Sequence, residues 1–352
     1  MNNIKVFCYK NTNSPSPHYY SLYSFPPKNI VYMNTITKSG TPNSYITLLK
    51  NNIIKAMEYL GLCLPNIRPI NKNIEADIIH SFNCLAFHKE KPIIADLEMP
   101  RNVILGAPKQ YCVSRVKSIV SHKNYKKILT WTDKTKNEIL KMLDVKNDLK
   151  DKFLTLYPTI PPIKIKQKRN KKKHVLLFTA RYFKDKGGMI VLDVFKEMKM
   201  KYDDIECIIV SNTPSNYKEY YSKYGIKFFD LMDRHMLFKK IFSISTIYIY
   251  PGLSDSYGFT FLEAMSFGLP IVTQEGYARD EMVKNNKEGF VIKNTGKDLI
   301  NEYVEKIEEL INNKKLYNEM SRNCIKTINE GRFCAQKRNE KLRAIYEEAI
   351  RK

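Results

Sequence analysis

The chain has 352 residues, of which 43% are hydrophobic and 12% aromatic, and its formal net charge is +23. This length usually holds two domains, and the apolar content suits packed cores rather than a disordered chain. The sequence has no apolar run near the roughly 18 residues of a membrane-spanning helix, and its start is too weakly apolar to indicate a secretory signal.

The N-terminal half alternates short apolar runs with helix-like segments, which is typical of an α/β fold. A turn over residues 39–44, which contains Gly40, ends in helix-capping residues and opens a helix over about residues 45–60. A further helix is expected over about residues 134–143. The predicted strands of this half are Ile4–Tyr9, Asn29–Met33, Ile78–Phe82, Pro92–Ala95 and Lys127–Thr132.

Titratable residues of this half lie in or just after predicted strands. Asp96 and Glu98 follow the strand Pro92–Ala95 and could orient an acceptor hydroxyl or act as a base. His80 lies inside the preceding strand and is the foremost histidine candidate. The alternative is that the acids are polar loop residues and the histidines are packed or surface side chains. The other histidines considered are His18, His88 and His122.

Residues 109–128 combine apolar residues at helical spacing with basic ones. We favour an ordinary helix whose apolar stripe packs on the sheet while its charges face water. The alternative is a basic amphipathic helix in a lipid interface, which requires exposed apolar residues beyond that stripe. The apolar positions are Tyr111, Val113, Val116, Ile119 and Val120, and the basic ones are Lys109, Arg115, Lys117, Lys123, Lys126 and Lys127.

The positive charge is uneven: residues 1–163 carry a net +12, residues 164–173 carry +7, and residues 174–352 carry +4. Part of this excess reflects a lysine-rich composition of the kind that AT-rich genomes encode. The rest favours an anionic partner for the N-terminal half, such as an anionic membrane surface. Because no helix-turn-helix, zinc finger or RNA-binding motif occurs, nucleic acid is not favoured as that partner.

Prolines and lysines mark a domain boundary near residues 158–173. We therefore predict an N-terminal domain over residues 1–160, a linker over 161–173, a second domain over 174–334 and a final helix over 335–352. The seven cysteines are scattered and form no C-x-x-C pair. We expect reduced thiols in a cytoplasmic protein, with no structural disulfide and no dedicated metal site.

Two cations follow the first strand of the second domain. Residues 175–179 are all apolar or β-branched, as in a central parallel strand. Arg181 and Lys186 lie in the loop after it, and Gly187 and Gly188 introduce a helix. Fixed cations of this kind can stabilise the negative charge that grows on a departing diphosphate. The alternative is that both are solvated side chains of a lysine-rich loop.

Residues 250–272 indicate a strand, a short loop, a helix and another strand. An apolar run ends at Pro251 and Gly252, and the helix contains Glu263. Free N–H groups at a helix start bind anions, and a carboxylate accepts hydrogen bonds from sugar hydroxyls. Together these groups suit a ligand that has both phosphate and ribose, such as a nucleotide sugar. The alternative is a buried βαβ unit with a tight turn.

The segment D-S-Y-G-F-T-F-L-E-A-M-S-F-G-L-P-I, from Asp255 to Ile271, resembles the E-x7-E block of retaining GT-B glycosyltransferases of the glycogen-synthase-like group. The spacing of Arg181 and Lys186 resembles the G-R-x-x-x-x-K-G segment of the same family. The chain departs from the pattern at Asp255, which replaces the first Glu, and at Ala180, which replaces Gly. The block positions that fall in register are Gly258, Glu263, Ala264, Met265, Gly268 and Pro270.

The resemblance implies an α/β fold of the GT-B type, with two Rossmann-like domains facing a central cleft. It implies a metal-independent hexosyltransferase that moves sugar from a nucleotide-diphosphate donor to a glycan or lipid-linked acceptor with retention, and that needs no cofactor. Arg181 and Lys186 would stabilise the diphosphate, Glu263 would hold ribose and Asp255 would contact the sugar. Gly40 would lie on the acceptor side with Asp96, Glu98 and His80. The remaining donor-binding positions would be Ser256, Tyr257, Gly258, Phe259 and Thr260.

Three alternatives remain open from the sequence. Asp255 and the absence of a histidine after the strand Pro92–Ala95 would also fit a catalytically silent GT-B scaffold. The basic charge would fit a protein that binds or modifies nucleic acid. A nucleotide-sugar epimerase shares the fold, although the block over residues 255–263 fits transferases better.

Overall fold

The computed structural model describes all residues except 1–2, 11–15, 35–43, 71–72, 146, 170–172, 254–255, 294 and 352. The chain divides into two compact units. Unit 1 comprises residues 1–161 and 335–352, and unit 2 comprises residues 162–334. Each unit is built on a six-stranded sheet with helices between its strands, so the α/β prediction is confirmed.

The main sheet of unit 1 is entirely parallel. Its strand order is β10-β9-β7-β5-β1-β2, so the order reverses between β1 and β5. The strands β5 and β7 are buried at every position, which matches the continuous apolar runs of a central parallel sheet. The strands are β1 (Ile4–Lys10), β2 (Ile30–Tyr32), β3 (Cys63–Pro65), β4 (Ile67–Pro69), β5 (Ile78–Phe82), β6 (Leu85–Phe87), β7 (Ile93–Leu97), β8 (Ile104–Gly106), β9 (Tyr125–Thr130) and β10 (Phe153–Thr155).

The helices of unit 1 cover this sheet, and two small sheets, β3 with β8 and β4 with β6, extend the unit. The C-terminal helix, Ala335–Arg351, packs on β5 and β9 through buried residues that include Leu342 and Tyr346. A short 3-10 turn, Pro100–Asn102, precedes β8. The other helices are α1 (Pro17–Ser24), α2 (Ser44–Tyr59), α3 (Gln110–Ser121), α4 (Asp133–Met142) and α5 (Asn147–Lys150).

The helix expected in residues 109–128 is α3, which ends at Ser121 because the chain turns at His122 and enters β9 at Tyr125. Its stripe of Val113, Val116, Ile119 and Val120 is buried in the core. This confirms the interpretation that the stripe packs inside the domain. Tyr111, however, points outward and is 62% exposed.

The expectation that every cysteine is a free thiol is wrong for one pair. Cys63 and Cys112 form a disulfide between β3 and the first turn of α3. The two residues are 49 positions apart in sequence, and only the packing of α3 on β3 brings them together. The free cysteines that the structure describes are all buried: Cys8, Cys84, Cys207, Cys324 and Cys334.

The sheet of unit 2 is also parallel, with the order β13-β12-β11-β14-β15-β16. Numbered within the unit, this is the order 3-2-1-4-5-6 of dinucleotide-binding folds. The strands are β11 (Val175–Ala180), β12 (Glu206–Ser211), β13 (Ile226–Phe229), β14 (Ile247–Tyr250), β15 (Ile271–Gln274) and β16 (Gly289–Ile292).

The helices of unit 2 connect these strands and close the unit. The short α8 continues directly into a π-helical turn, Phe238–Phe242. None of the helices in the described part of the chain is both long and apolar enough to cross a bilayer. The helices are α6 (Gly188–Lys201), α7 (Ser215–Ser222), α8 (Arg234–Leu237), α9 (Phe259–Ser266), α10 (Arg279–Met282), α11 (Leu299–Asn312) and α12 (Lys314–Asn329).

Candidate active site

The strand order of unit 2 changes direction between β11 and β14. β11 and β14 are neighbours, but the chain leaves β11 toward β12 and leaves β14 toward β15. The order therefore reverses there, and in open α/β sheets ligands bind outside the carboxyl ends of the strands at such a point. The two sequence segments singled out above, residues 181–188 and 251–263, follow β11 and β14 directly.

The loop after β11 is a tight turn held against the loop after β14. Gly252 donates its N–H to the carbonyl of Lys186 at 3.1 Å. Gly187 has φ +84°, and a Cβ there would lie 2.5 Å from the Cβ of Pro251. A residue without a side chain is therefore needed where the two loops meet. The side chain of Arg181 is exposed at the end of β11, and Lys186 is half-buried.

The helix α9 begins at this edge without a side-chain cap. Gly258 precedes it with φ +84°, and a Cβ there would overlap the ring of Phe261. Thr260 has a buried Oγ1 with no hydrogen-bond partner in the part of the chain that the structure describes. A helix start of this kind presents backbone N–H groups to an anion.

The other predicted donor-binding residues of this segment differ in access. Tyr257 is buried, and its ring centroid lies 5.0 Å from that of Phe259. Ser256 and Phe259 are half-buried. The predicted sugar-contacting residue, Asp255, lies outside the described residues.

Glu263 of α9 forms an ion pair with Arg234. Its Oε1 lies 2.5 Å from Nη2 of Arg234, the first residue of α8. Burial raises the pKa of the Glu263 carboxyl, and the charge and hydrogen bond of Arg234 oppose that shift. Glu263 is 8% exposed, whereas the Arg234 side chain is 39% exposed and stacks on Phe238. The sequence did not single out Arg234, because nothing in the local pattern links α8 to α9.

Arg279 is a second residue that the sequence did not single out. Its guanidinium is buried and donates to the carbonyls of Gly252, Gln274 and Glu275. These contacts join the loop after β14 to the end of β15. Arg279 therefore fixes the position of the loop that carries Gly252 rather than presenting its charge to solvent.

In unit 1, the residues at the carboxyl end of β7 form a buried polar cluster. The sequence predicted Asp96 just after a strand that ends at Ala95, but β7 continues to Leu97, so Asp96 lies within the strand and is 3% exposed. His18 lies 2.8 Å from Asp96, measured from Nε2 to Oδ2, and Trp131 donates its Nε1–H to Oδ1 at 2.5 Å. A carboxylate only accepts hydrogen bonds, so the proton in the contact between His18 and Asp96 belongs to Nε2 of His18.

His80 extends this cluster to the C-terminal helix. Its Nδ1 lies 2.6 Å from the hydroxyl of Tyr346, and its Nε2 lies 3.8 Å from Oδ2 of Asp96. Burial lowers the pKa of His18 and lowers the pKa of His80 to about 4, while the nearby Asp96 opposes both shifts. The sequence identified Asp96 and His80 but not their respective partners Trp131 and Tyr346.

The remaining acceptor-side candidates have other surroundings. Glu98 is half-buried just after β7, and its N–H donates to Oδ1 of Asn102 at 2.9 Å. His88 and His122 accept backbone N–H groups in turns that lie before β7 and β9. Gly40 lies outside the described residues. Among the residues that the structure describes, no group of three or more His, Cys, Asp or Glu side chains is arranged to hold a metal ion.

We expect the stability of unit 1 to fall as the pH drops from 6.5 toward 4. His80 has an ordinary pKa of 6.5 and a folded-state pKa of about 4. The unfolded chain therefore takes up a proton in this window before the folded chain does, so stability that is present above pH 6.5 is lost on acidification. The shift corresponds to roughly 3 kcal/mol at pH 4. Urea unfolding across this pH range should show a shallower pH dependence in His80→Asn, and an unchanged slope would contradict the assignment.

The comparisons with known proteins point to sugar transfer. Residues 160–327 match the family model described as Glycosyl transferases group 1. The chain is 28% identical over 169 residues to an uncharacterized glycosyltransferase of Haemophilus influenzae, which covers 46% of this chain and 45% of the relative. It is 23% identical over 178 residues to the capsular polysaccharide biosynthesis glycosyltransferase CapM of Staphylococcus aureus, which covers 49% and 45%. The chain thus spans about half the length of the curated relatives it matches.

Solved structures match nearly the whole chain at low identity. A glycosyltransferase from Rickettsia africae aligns with a TM-score of 0.63 and 12% identity, covering 99% of both chains. Anabaena Alr3699/HepE in complex with UDP-glucose aligns with a TM-score of 0.61 and 11% identity, covering 98% of this chain and 100% of that one. At such identities the likeness establishes the fold. The chain has the GT-B fold class, with two Rossmann-like units, as the sequence predicted.

Proposed function

We propose that this chain is a glycosyltransferase whose unit 2 binds a nucleotide-diphosphate sugar at the carboxyl ends of β11 and β14. One observation carries the proposal: the two loops that resemble the family's donor motifs meet at the point where the strand order reverses. Arg181 and Lys186 lie in the loop after β11, and the uncapped start of α9 and the carboxylate of Glu263 follow β14, the adjacent strand.

Each group has a distinct role in this proposal. Arg181 and Lys186 stabilise the negative charge that develops on the diphosphate as the sugar bond breaks. The backbone N–H groups near Gly258 and Phe259 meet phosphate or sugar oxygens, and Thr260 adds a hydroxyl with no internal partner among the described residues. Glu263 accepts hydrogen bonds from ribose hydroxyls, and Arg234 favours the charged form of that buried carboxyl against the effect of burial.

The family resemblance supports the finer assignments. We propose a hexosyl donor, transfer with retention of configuration, and chemistry that uses neither a metal ion nor a cofactor. A uridine nucleotide is the first donor to test, because the similar HepE structure is a complex with UDP-glucose. Asp255 belongs to the same proposal as the residue nearest the sugar.

For unit 1 we propose a glycan or lipid-linked acceptor bound at the carboxyl edge of its sheet. Asp96, His18 and His80 are almost fully buried, so they would support this edge rather than touch the acceptor. Glu98, which is half-buried just after β7, is the acid that an acceptor hydroxyl could reach. The positive charge of residues 1–163 further supports an anionic membrane surface as a partner, which would place the protein on the cytoplasmic face of a membrane.

The donor proposal can be tested by thermal unfolding with UDP, GDP, ADP, dTDP and CMP and their sugars, without added metal. A ligand that binds the folded chain raises its midpoint by mass action. We expect a shift with one diphosphate nucleotide that Glu263→Ala reduces strongly. A matched control is Glu281→Ala, which removes a half-buried carboxylate beyond β15. No shift with any nucleotide, in folded protein, would contradict the proposal.

A catalytically silent scaffold is the second candidate, and one observation favours it. Glu263 already has a cationic partner at 2.5 Å, so Arg234 competes with ribose for its oxygens. On this reading Arg234→Ala should tighten donor binding, and neither protein should release free sugar or form product. Sugar transfer or slow donor hydrolysis by the wild-type chain would exclude this candidate.

A further inference from the structure

Unit 1 exposes a group of large apolar side chains that its core does not use. They come from the end of α2, from the segment that leads through β3, and from the first turn of α3. We name this group the apolar rim. Its members and their exposed fractions are Tyr59 (91%), Leu60 (65%), Leu62 (51%), Leu64 (58%) and Tyr111 (62%).

Several contacts hold the backbone that carries the apolar rim. The hydroxyl of Tyr111 donates to the carbonyl of Cys63 at 3.0 Å, and Cys63 is joined to Cys112 by the disulfide. The N–H of Leu62 donates to the carbonyl of Met57 in α2 at 2.7 Å. The two hydrogen bonds and the disulfide therefore fix the backbone that carries these exposed side chains.

The elements that carry the apolar rim are rich in Lys and Arg. Residues 99–132 contain seven Lys or Arg residues and no Asp or Glu, and residues 44–70 contain Glu58 as their single acid. Lys55, Lys109 and Arg115 are all exposed on the same elements as the rim. Lys109 also reaches back toward the rim, since a Cβ on Gly61 would lie 3.3 Å from its Nζ.

We propose that the apolar rim and its surrounding cations form the surface that docks on an anionic lipid bilayer. Contiguous exposed apolar side chains mark interaction sites, and leucine and tyrosine with lysine and arginine around them suit the boundary between headgroups and acyl chains. The nearly acid-free surroundings complement anionic headgroups. This inference rests on the membrane part of the proposed function and is independent of sugar transfer.

Residues 109–128 were also considered as a basic amphipathic helix in a lipid interface. The stripe of α3 is buried in the core, so the helix itself does not supply a lipid-facing side. Tyr111 supplies the exposed apolar residue beyond the stripe that lipid binding required. The apolar partners of Tyr111 come from residues 59–64, which have no helical pattern that could have identified them.

Vesicle co-sedimentation tests the proposal. The purified chain is mixed with phosphatidylcholine vesicles that either contain or lack phosphatidylglycerol. We expect binding to the anionic vesicles only, and Leu62→Ser with Leu64→Ser should weaken it about tenfold or more. Lys109→Glu with Arg115→Glu should remove the preference for anionic lipid. The matched control is Met200→Ser with Tyr220→Ser, which replaces two exposed apolar residues of unit 2 and should bind like wild type.

Each outcome has a distinct meaning. All six substituted residues are exposed, so the three variants should keep the wild-type unfolding midpoint. Donor-induced thermal shifts serve as an independent check of unit 2. Wild-type protein that binds no vesicles would overturn both this inference and the membrane part of the proposed function, while leaving the donor site untouched. Equal binding by wild type and the leucine variant would overturn the rim alone. Self-association that the leucine variant abolishes, without vesicle binding, would assign the rim to a second copy instead.

Discussion

Removing either cation of the loop after β11 is expected to lower the rate of sugar transfer by about 10²–10³-fold, the loss that follows removal of one donor aimed at a developing negative charge. Arg181 stands exposed directly at the carboxyl end of β11. Its truncation should therefore leave the fold unchanged. Lys186 contributes its carbonyl to Gly252 through the backbone, so Lys186→Ala keeps the contact between the loops.

The loop itself offers a matched control for this prediction. Lys184 is an exposed cation of the same loop, but its Nζ lies over the ring of Tyr217 at 5.7 Å from the centroid. Lys184→Ala makes the same change in net charge and should keep the transfer rate within about threefold. Steady-state assays of all three variants separate a specific role from a general charge effect. Equal losses in all three, or no loss in Arg181→Ala, would contradict the assignment.

The largest effect on stability is expected at Glu288, whose side chain is completely buried before β16. Arg332 contacts its two carboxylate oxygens at 2.9 and 3.3 Å, and Thr327 donates to Oε1 at 2.7 Å. Glu288→Ala leaves part of a charged guanidinium without its partner in a mostly buried place. Breaking a pair of this kind typically costs about 3–5 kcal/mol of the free energy of unfolding.

Urea unfolding of unit 2 measures this loss against an exposed pair. Glu309 lies 2.8 Å from Lys306 on α11, and Glu309→Ala should cost less than about 1 kcal/mol. Burial raises the pKa of Glu288, but the hydrogen bonds of Arg332 and Thr327 outweigh it, and the net shift is downward. The stability that this pair contributes is therefore present above pH 4.5 and is lost as the pH falls through the lower folded-state pKa. Equal effects of both substitutions would contradict this assignment.

The local features of the donor site could be predicted because adjacent residues determine them. The run from Val175 to Ala180 is apolar at nearly every position, which is typical of a central parallel strand. Gly187 and Gly258 have positive φ values, and side chains there would collide with neighbouring residues. Such requirements leave visible glycines at fixed distances from Arg181 and Glu263.

Other parts of the site depend on contacts between distant segments and left no local signal. Arg234 of α8 forms its ion pair with Glu263 of α9 across 29 positions of sequence. Asp96 was expected just after a strand that ends at Ala95, but β7 continues to Leu97 and includes Asp96, because Trp131 and His18 satisfy its buried carboxylate. The disulfide between Cys63 and Cys112 likewise follows from the packing of α3 on β3.

The crystal structure of the chain soaked with UDP-glucose would test the central claim most directly. We expect diphosphate density at the carboxyl ends of β11 and β14, with oxygens about 3 Å from Arg181, Lys186 and the first N–H groups of α9. The ribose hydroxyls should donate to Glu263. A nucleotide bound elsewhere, or at this edge without contact to Glu263, would contradict the proposed donor site.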